Sequence, residues 1–256
     1  MSAAALTLHQ LRYDQRIFWR NPAAVFFTVI FPVIFLFLFA GLFGNGEIEE
    51  LGVDVATYYV PGIITLAVVS ATLVSLTMNL VIGRETGRLK RFRGTPMPTW
   101  AFIAGRIGNS IVVSLLMVLL VTALGAIFFG VEVPTTTLPA LLVTLIVGAI
   151  SFSALGFALS AAIPSEDAAP AITNATVLPL YFISGVFIPE SEIPDGVLRF
   201  ADLFPIRHFF EAFFAAFDPT TTGVGLALGD LAVVAAWGAI GLALAARYFR
   251  WTPKRD

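Results

Sequence analysis

Cysteine is missing from all 256 residues, which excludes disulfides, thiolate metal sites and a cysteine nucleophile. Lysine is nearly missing as well. Lys90 follows Leu89 and Lys254 follows Pro253, so neither completes the glycine-rich turn in which a Gly-Lys pair cradles nucleotide phosphates. The two histidines, His9 and His208, stand too far apart to share a metal, and no His-Glu-x-x-His or aspartate-rich diphosphate-binding pattern occurs. No enzyme activity and no cofactor or metal bound by this chain are therefore expected. Charge is scarce too: charged residues make up 12% against 58% apolar ones, too little polar surface to coat a soluble globule.

What is present is a series of charge-free runs. Asn21–Gly46, Val55–Gly83, Ile107–Val131, Val133–Ser165 and Ala168–Pro189 each reach or exceed the roughly 20 residues that cross a hydrocarbon core about 30 Å thick. Leu231–Ala246 makes a sixth when extended back through Asp230 to about Leu226, with that carboxylate near the headgroups. These runs predict an all-α polytopic membrane protein, one membrane domain over 1–256, with six transmembrane helices at about 22–44, 57–83, 107–130, 138–163, 169–188 and 226–247. The first run lies behind 20 polar and charged residues without a small-residue cleavage pattern, so it is expected to remain as a helix. Six crossings put both termini on one side, and that side collects 13 of the 15 Lys and Arg residues. Only Arg199 and Arg207 fall opposite, which predicts cytoplasmic termini.

Between the spans, three segments carry pattern. In 6–20, Leu8, Leu11, Phe18 and Trp19 share one helical face while Arg12, Arg16 and Arg20 recur on another, predicting an amphipathic helix along the inner headgroups. Asn21-Pro22 then punctuates the start of the first span, and Pro32 is expected to bend it. Thr65, Thr72, Ser75 and Asn79 fall within about 80° of one another at 100° per residue. With Asn174 of the fifth span they are candidate substrate-path residues, although hydroxyl and amide contacts between helices explain such a stripe more simply. The outer segment 190–225 holds Phe209, Phe210, Phe213, Phe214 and Phe217 on one side of a helix, predicting a re-entrant helical hairpin that dips into the outer leaflet between helices 5 and 6. No ionisable group sits mid-span in the first five runs, so energy for any transport must come from outside this polypeptide.

The loop 84–106 concentrates six of the 15 cations. Arg84 and Arg106, beside the membrane, read as positive-inside anchors. In the middle, Leu89 and Phe92 form an apolar ridge on a short helix studded with Arg88, Lys90, Arg91 and Arg93, which stops at Gly94-Thr95-Pro96. Such a helix suits docking on a cytoplasmic partner. The loop Glu85-x-Gly87-x-Leu89-Lys90-Arg91-x-Arg93-x-Thr95-Pro96 resembles the coupling loop of the membrane subunit of ABC-2 type ATP-binding-cassette exporters, notably the drug-resistance branch. Ser184-Gly185-Val186-Phe187-Ile188-Pro189, then Ile193-Pro194 and Pro205-Ile206-Arg207-His208, is similar to that family's pattern around the fifth span and outer hairpin. Arg20-Asn21-Pro22 and Pro164-Ser165-Glu166-Asp167-Ala168 also fit, so the resemblance spans nearly the whole chain. One departure is Phe214, where many members carry Arg or Gln.

The resemblance implies a half-transporter in a bacterial cytoplasmic membrane. Two copies, or a copy and a paralogue, form the pathway within lipid, no nucleic acid is involved, and separate ABC ATPase subunits carry ATP and Mg. It assigns ATPase coupling to Glu85, Gly87, Arg88, Leu89, Lys90, Arg91, Phe92 and Arg93, joined by Glu166 and Asp167. It places Pro189, Pro194, Pro205, Arg207, His208, Phe209 and Phe213 in the outer hairpin. The expected function is outward movement of hydrophobic or amphipathic drugs or lipids; the alternatives are lipid-linked glycan export and a non-transporting scaffold that recruits a cytoplasmic partner.

Overall fold

A computed structural model of the protein describes residues 3–43, 46–48, 52–95, 97–221 and 223–253; Pro96 of the basic loop, Lys254 and Arg255 lie outside them. The described chain is a helical bundle: α1 (Ala3–Trp19), α2 (Pro22–Val25), α3 (Phe31–Phe43), α4 (Val55–Val69), α5 (Ser75–Glu85), α6 (Arg88–Arg93), α7 (Thr99–Phe129), α8 (Leu138–Ala162), α9 (Ala168–Ile183), α10 (Asp195–Ala201), α11 (Pro205–Phe217) and α12 (Leu228–Tyr248). A two-residue strand pair, Glu47–Ile48 against Val53–Asp54, precedes α4. Asn21 caps α2 by accepting from the Ala24 N–H at 3.2 Å, with Pro22 in the first turn, where its missing N–H costs nothing.

Two helices are interrupted by π turns. Phe26–Ile30 joins α2 to α3, and Ser70–Val74 joins α4 to α5; the Phe31 N–H reaches Phe26 O and the Ser75 N–H reaches Ser70 O. Each π turn inserts extra residues into the 3.6-residue period, so side chains on either side of it no longer share the face that uniform spacing assigns them.

Five helical stretches are long and apolar enough to cross a bilayer: Pro22–Leu42, Val55–Glu85, Thr99–Phe129, Leu138–Ala162 and Leu228–Tyr248, with Ala168–Ile183 a shorter apolar helix. Ile127, Leu119, Leu142, Ile146, Ile240 and Leu244 all face outward, an apolar exterior suited to hydrocarbon. The protein is an all-α polytopic membrane protein. At its centre α4 is enclosed on every side, with Val60, Ile63, Ile64, Ala67 and Val68 wholly buried. It packs against α3, α7, α8 and α11. Tyr58 donates to Gly185 O (2.6 Å), Tyr59 to Phe187 O (3.3 Å) and Tyr181 to Leu66 O (3.2 Å), tying α4 to α9 and the turn beyond it through backbone carbonyls.

Several boundaries differ from the sequence reading. The helix expected at 107 starts at Thr99, directly after the extended Pro98, so Arg106 lies inside α7 and the inter-helix loop narrows to 86–98. Helix α9 stops at Ile183 instead of 188, because Gly185 adopts φ +85, a left-handed turn that glycine takes without penalty. Helix α1 buries Gln10, Asp14 and Phe18, leaving Leu8 and Trp19 exposed. Glycine permits this seat: a Cβ at Gly105 of α7 would stand 2.6 Å from Gln10 Cγ, and one at Gly108 3.0 Å from Leu11 Cδ1.

Candidate functional site

Arg84 governs the geometry of the basic loop. It closes α5 with a buried guanidinium whose Nη1 donates to Ser160 O (2.9 Å), Nη2 to Ile163 O (2.8 Å) and Nε to Glu85 Oε1 (2.7 Å). The last carbonyls of α8 have no intrahelical donors and carry the negative end of its dipole, so a buried cation belongs there. The expected headgroup anchor is thus a clasp between α5 and α8. Arg106 is not a headgroup anchor either: its Nη1 lies 3.4 Å from Asp14 Oδ1 and its guanidinium 5.3 Å over the Phe102 ring. Burial pushes the Asp14 carboxyl up, opposed by Arg106 and by a 3.0 Å hydrogen bond from Gln10 Nε2.

Beyond Glu85 the chain reverses at Gly87, whose φ of +69 lets only two residues separate the end of α5 from the start of α6. Leu89 is 1% exposed, seated among Leu76, Leu80, Phe102, Phe157 and Ala245, and Phe92 meets the Phe102 ring at 5.3 Å. The ridge expected to dock on a partner is therefore turned into the protein's own core: with α6 only six residues long and pinned at both ends to membrane helices, its apolar side has a nearer surface to cover. Arg88, Lys90, Arg91 and Arg93 face outward. Glu166 and Asp167 are exposed on the turn between α8 and α9, where Ser165 Oγ accepts from the Ala168 N–H at 3.3 Å. The Arg84 clasp brings this turn beside the end of α5. The result is a helix with an exposed cationic face on an apolar footing, and two carboxylates exposed on the turn after α8.

The candidate path residues do not gather. Thr65 and Thr72 are fully buried inside the bundle, Thr72 Oγ1 donating to Val68 O at 2.7 Å. Ser75 and Asn79 line a water-sized polar cavity with Asp14, Arg106 and Asn109 between α1, α5 and α7, and Asn79 Nδ2 donates to Ser75 O at 2.8 Å. Asn174 is exposed on α9, away from that cavity.

On the opposite side, Pro194 precedes α10, Pro205 opens α11 and Pro189 leads into a 3-10 turn at Glu190–Glu192. The phenylalanine face expected in lipid is turned inward: Phe209, Phe210, Phe213 and Phe217 are buried, Phe209 against Phe152 of α8 and Phe210 against Tyr58 of α4. Hydropathy does not separate these cases, since lipid and protein core are equally apolar. Arg207 pairs with Asp202 (2.6 Å) and Glu190 (2.8 Å). His208 holds Asp230 Oδ1 through Nδ1 at 2.7 Å and Asp202 O through Nε2 at 2.8 Å, joining α11 to α12. Burial first, then the Glu190 carboxylate, pushes Glu211 up to about 9, with Arg207 opposing. Burial would also raise Glu190, but hydrogen bonds from Glu211 and Arg207 outweigh it and hold that carboxyl below its ordinary range. Neither Glu211 nor Asp14 stood out in the sequence; a lone acid on an aromatic or basic helix face was the available signal.

The sequence pattern of the ABC-2 type transporter family matches residues 8–217. The inner membrane transport permease YadH of Escherichia coli K12 is 24% identical over 225 residues, covering 86% of this chain and 84% of its own length. The daunorubicin resistance ABC transporter permease protein DrrB1 of Streptomyces coeruleorubidus is 27% identical over 209 residues, covering 81% of this chain and 73% of its own. The putative transport permease ycf38 of Porphyra purpurea is 26% identical over 205 residues, covering 77% and 69%.

Proposed function

The chain belongs to the ABC-2 type transporter family, and from that premise we propose that it is the permease subunit of an exporter, moving hydrophobic or amphipathic compounds outward with energy from separate ABC ATPase subunits. The observation that carries this reading is the exposed cationic face of α6 mounted on buried Leu89 and Arg84. The ATPases bind and hydrolyse ATP with Mg; this chain receives the resulting displacement. Because Leu89 sits among side chains of α5, α7, α8 and α12, and Arg84 holds the end of α8, a push on α6 reaches four membrane helices without an intervening flexible joint. One relative is named for daunorubicin resistance and another as an inner membrane transport permease, and this reading extends those names to the present chain.

In this reading Ala168–Ile183 is the sixth crossing, since 16 residues rise about 24 Å and the following turn completes the span. Both termini and α6 are cytoplasmic by the positive-inside bias, and α10–α11 form the outer re-entrant hairpin. Two copies, or this chain with a paralogue, enclose the pathway. Co-purification with an ABC ATPase, followed by substrate-stimulated ATP hydrolysis in vesicles, tests the proposal. Arg88→Glu combined with Arg91→Glu is expected to abolish both while the permease still inserts. Unchanged ATPase association and export in that variant would overturn it, and association without substrate-stimulated hydrolysis would favour a scaffold.

A further inference from the structure

Helix α12 packs on α8 and α11 but stands away from the first turns of α7, leaving a groove of about 530 Å³ between α7, α8 and α12. That volume falls within the range of about 300–1,000 Å³ common to ligand pockets. Its walls are largely apolar, formed by Ile103, Ile150, Ala239 and Leu242, and Phe249 and Trp251 line one end. Close approach of α8 and α12 fixes the floor, since a Cβ at Gly241 would stand 2.8 Å from the Leu155 backbone nitrogen. Helix α12 is largely uncovered along its length, so the groove opens to the bilayer.

Charge at that end selects the occupant. Arg247 directly follows Ala246, which lines the groove, and Arg250 lies between Phe249 and Trp251. Both arginines are exposed, and Arg250 has no salt bridge among the described residues. Aromatic rings and arginines at a helix end are the arrangement that sits at headgroup depth. An apolar slot running into the bilayer from a cationic mouth complements a molecule with a hydrocarbon tail and a negatively charged head. We propose that this groove is a binding site for one anionic phospholipid of the inner leaflet, its acyl chain lying along α8 and α12 and its phosphate on Arg250. The word inner rests on the orientation proposed above; the site itself does not.

The test needs neither ATPase nor export, so its failure is distinguishable from failure of the transport reading. With Trp19, Trp100 and Trp237 each replaced by Phe, Trp251 is the sole indole, and the protein is placed in phosphatidylcholine vesicles carrying a rising fraction of brominated phosphatidylglycerol. Quenching is expected to saturate, with half-saturation at about a fivefold lower fraction than for brominated phosphatidylcholine, as one arginine near a lipid phosphate implies. Arg250→Gln is expected to erase that preference, and Ala239→Phe, which fills the groove, to abolish saturable quenching. Native mass spectrometry of the unaltered chain, released from phosphatidylglycerol-containing micelles, supplies a second reading: one lipid retained, and none in Ala239→Phe. Quenching that tracks bulk lipid fraction equally for both headgroups would overturn the proposal. So would efficient crosslinking of two chains through Ala239→Cys, a unique thiol here, which would assign the groove to a second copy.

Discussion

Replacing Arg84 by Met tests the clasp that joins α5 to α8. The substitution keeps an unbranched apolar stem and removes the guanidinium, leaving Ser160 O and Ile163 O without the donors they have at 2.9 and 2.8 Å. The Arg84 side chain is 3% exposed, so water does not replace it without opening the structure. Hydrogen bonds from a charged group contribute about 1.5–3 kcal/mol each. Relief from burying the cation offsets part of that sum, and a net local loss of about 3 kcal/mol is expected. At about 1.4 kcal/mol per factor of ten, amide exchange in the last turn of α8 should accelerate roughly 100-fold in Arg84→Met. Arg84→Lys, whose ammonium reaches one carbonyl but not both in a fork, should fall between, near tenfold. Hydrogen–deuterium exchange with mass spectrometry on detergent-solubilised protein reads the segment 157–169 directly. Exchange within about threefold of the parent there, in a variant that folds, would refute the reasoning.

Leu89→Ala is expected to lower stability by about 2–5 kcal/mol, because it opens a cavity among Leu80, Phe102 and Phe157; thermal unfolding in detergent measures it, while a side chain that only contacts a partner would leave the unfolding temperature unchanged. Gly148→Ala drives a methyl group into the Phe209 ring and should cost about 1–3 kcal/mol, recovered in part by Phe209→Leu in the same chain, as a double-mutant cycle would show. Glu211 titrates near 9 when folded against an ordinary value of 4.5, so the folded state holds more protons than the unfolded state between those limits. Its contribution to stability therefore falls as pH rises through that window, whereas the depressed Glu190 adds an opposite slope only near its ordinary value of 4.5 and is ionised in both states over the rest. Glu211→Gln should accordingly gain unfolding temperature relative to the parent between pH 5 and pH 9, and a constant difference would contradict the assignment.

The apolar runs, the Asn21-Pro22 boundary and the short basic helix were legible because each depends on local composition: a bilayer-length run, a capping amide, a glycine on either side of six residues. What escaped depends on distant partners. Nothing near Arg106 distinguishes an anchor from a buried cation until Asp14 of α1 arrives beside it. Leu89 and Phe92 have the spacing of a docking ridge whichever way they face, and only the crossing of α5, α7 and α12 beneath them decides it. The phenylalanines of α11 were assigned to lipid for the same reason. The stripe Thr65 to Asn79 failed differently, since the π turn at Ser70–Val74 breaks the even rotation on which it was drawn.

Helices α5 and α8 are fastened at two levels. Thr77 Oγ1 donates to Gly156 O at 3.1 Å, and a Cβ on Gly156 would lie only 3.2 Å from the carbonyl oxygens of Thr72 and Leu73; Arg84 holds the lower end. Thr77 and Arg84 stand roughly 10 Å apart along α5. A plate held by one bolt pivots; held by two, it turns only with its neighbour. Shear of α5 past α8 by a single residue would break both fastenings at once, so a displacement applied beside Gly87 would carry the two helices together.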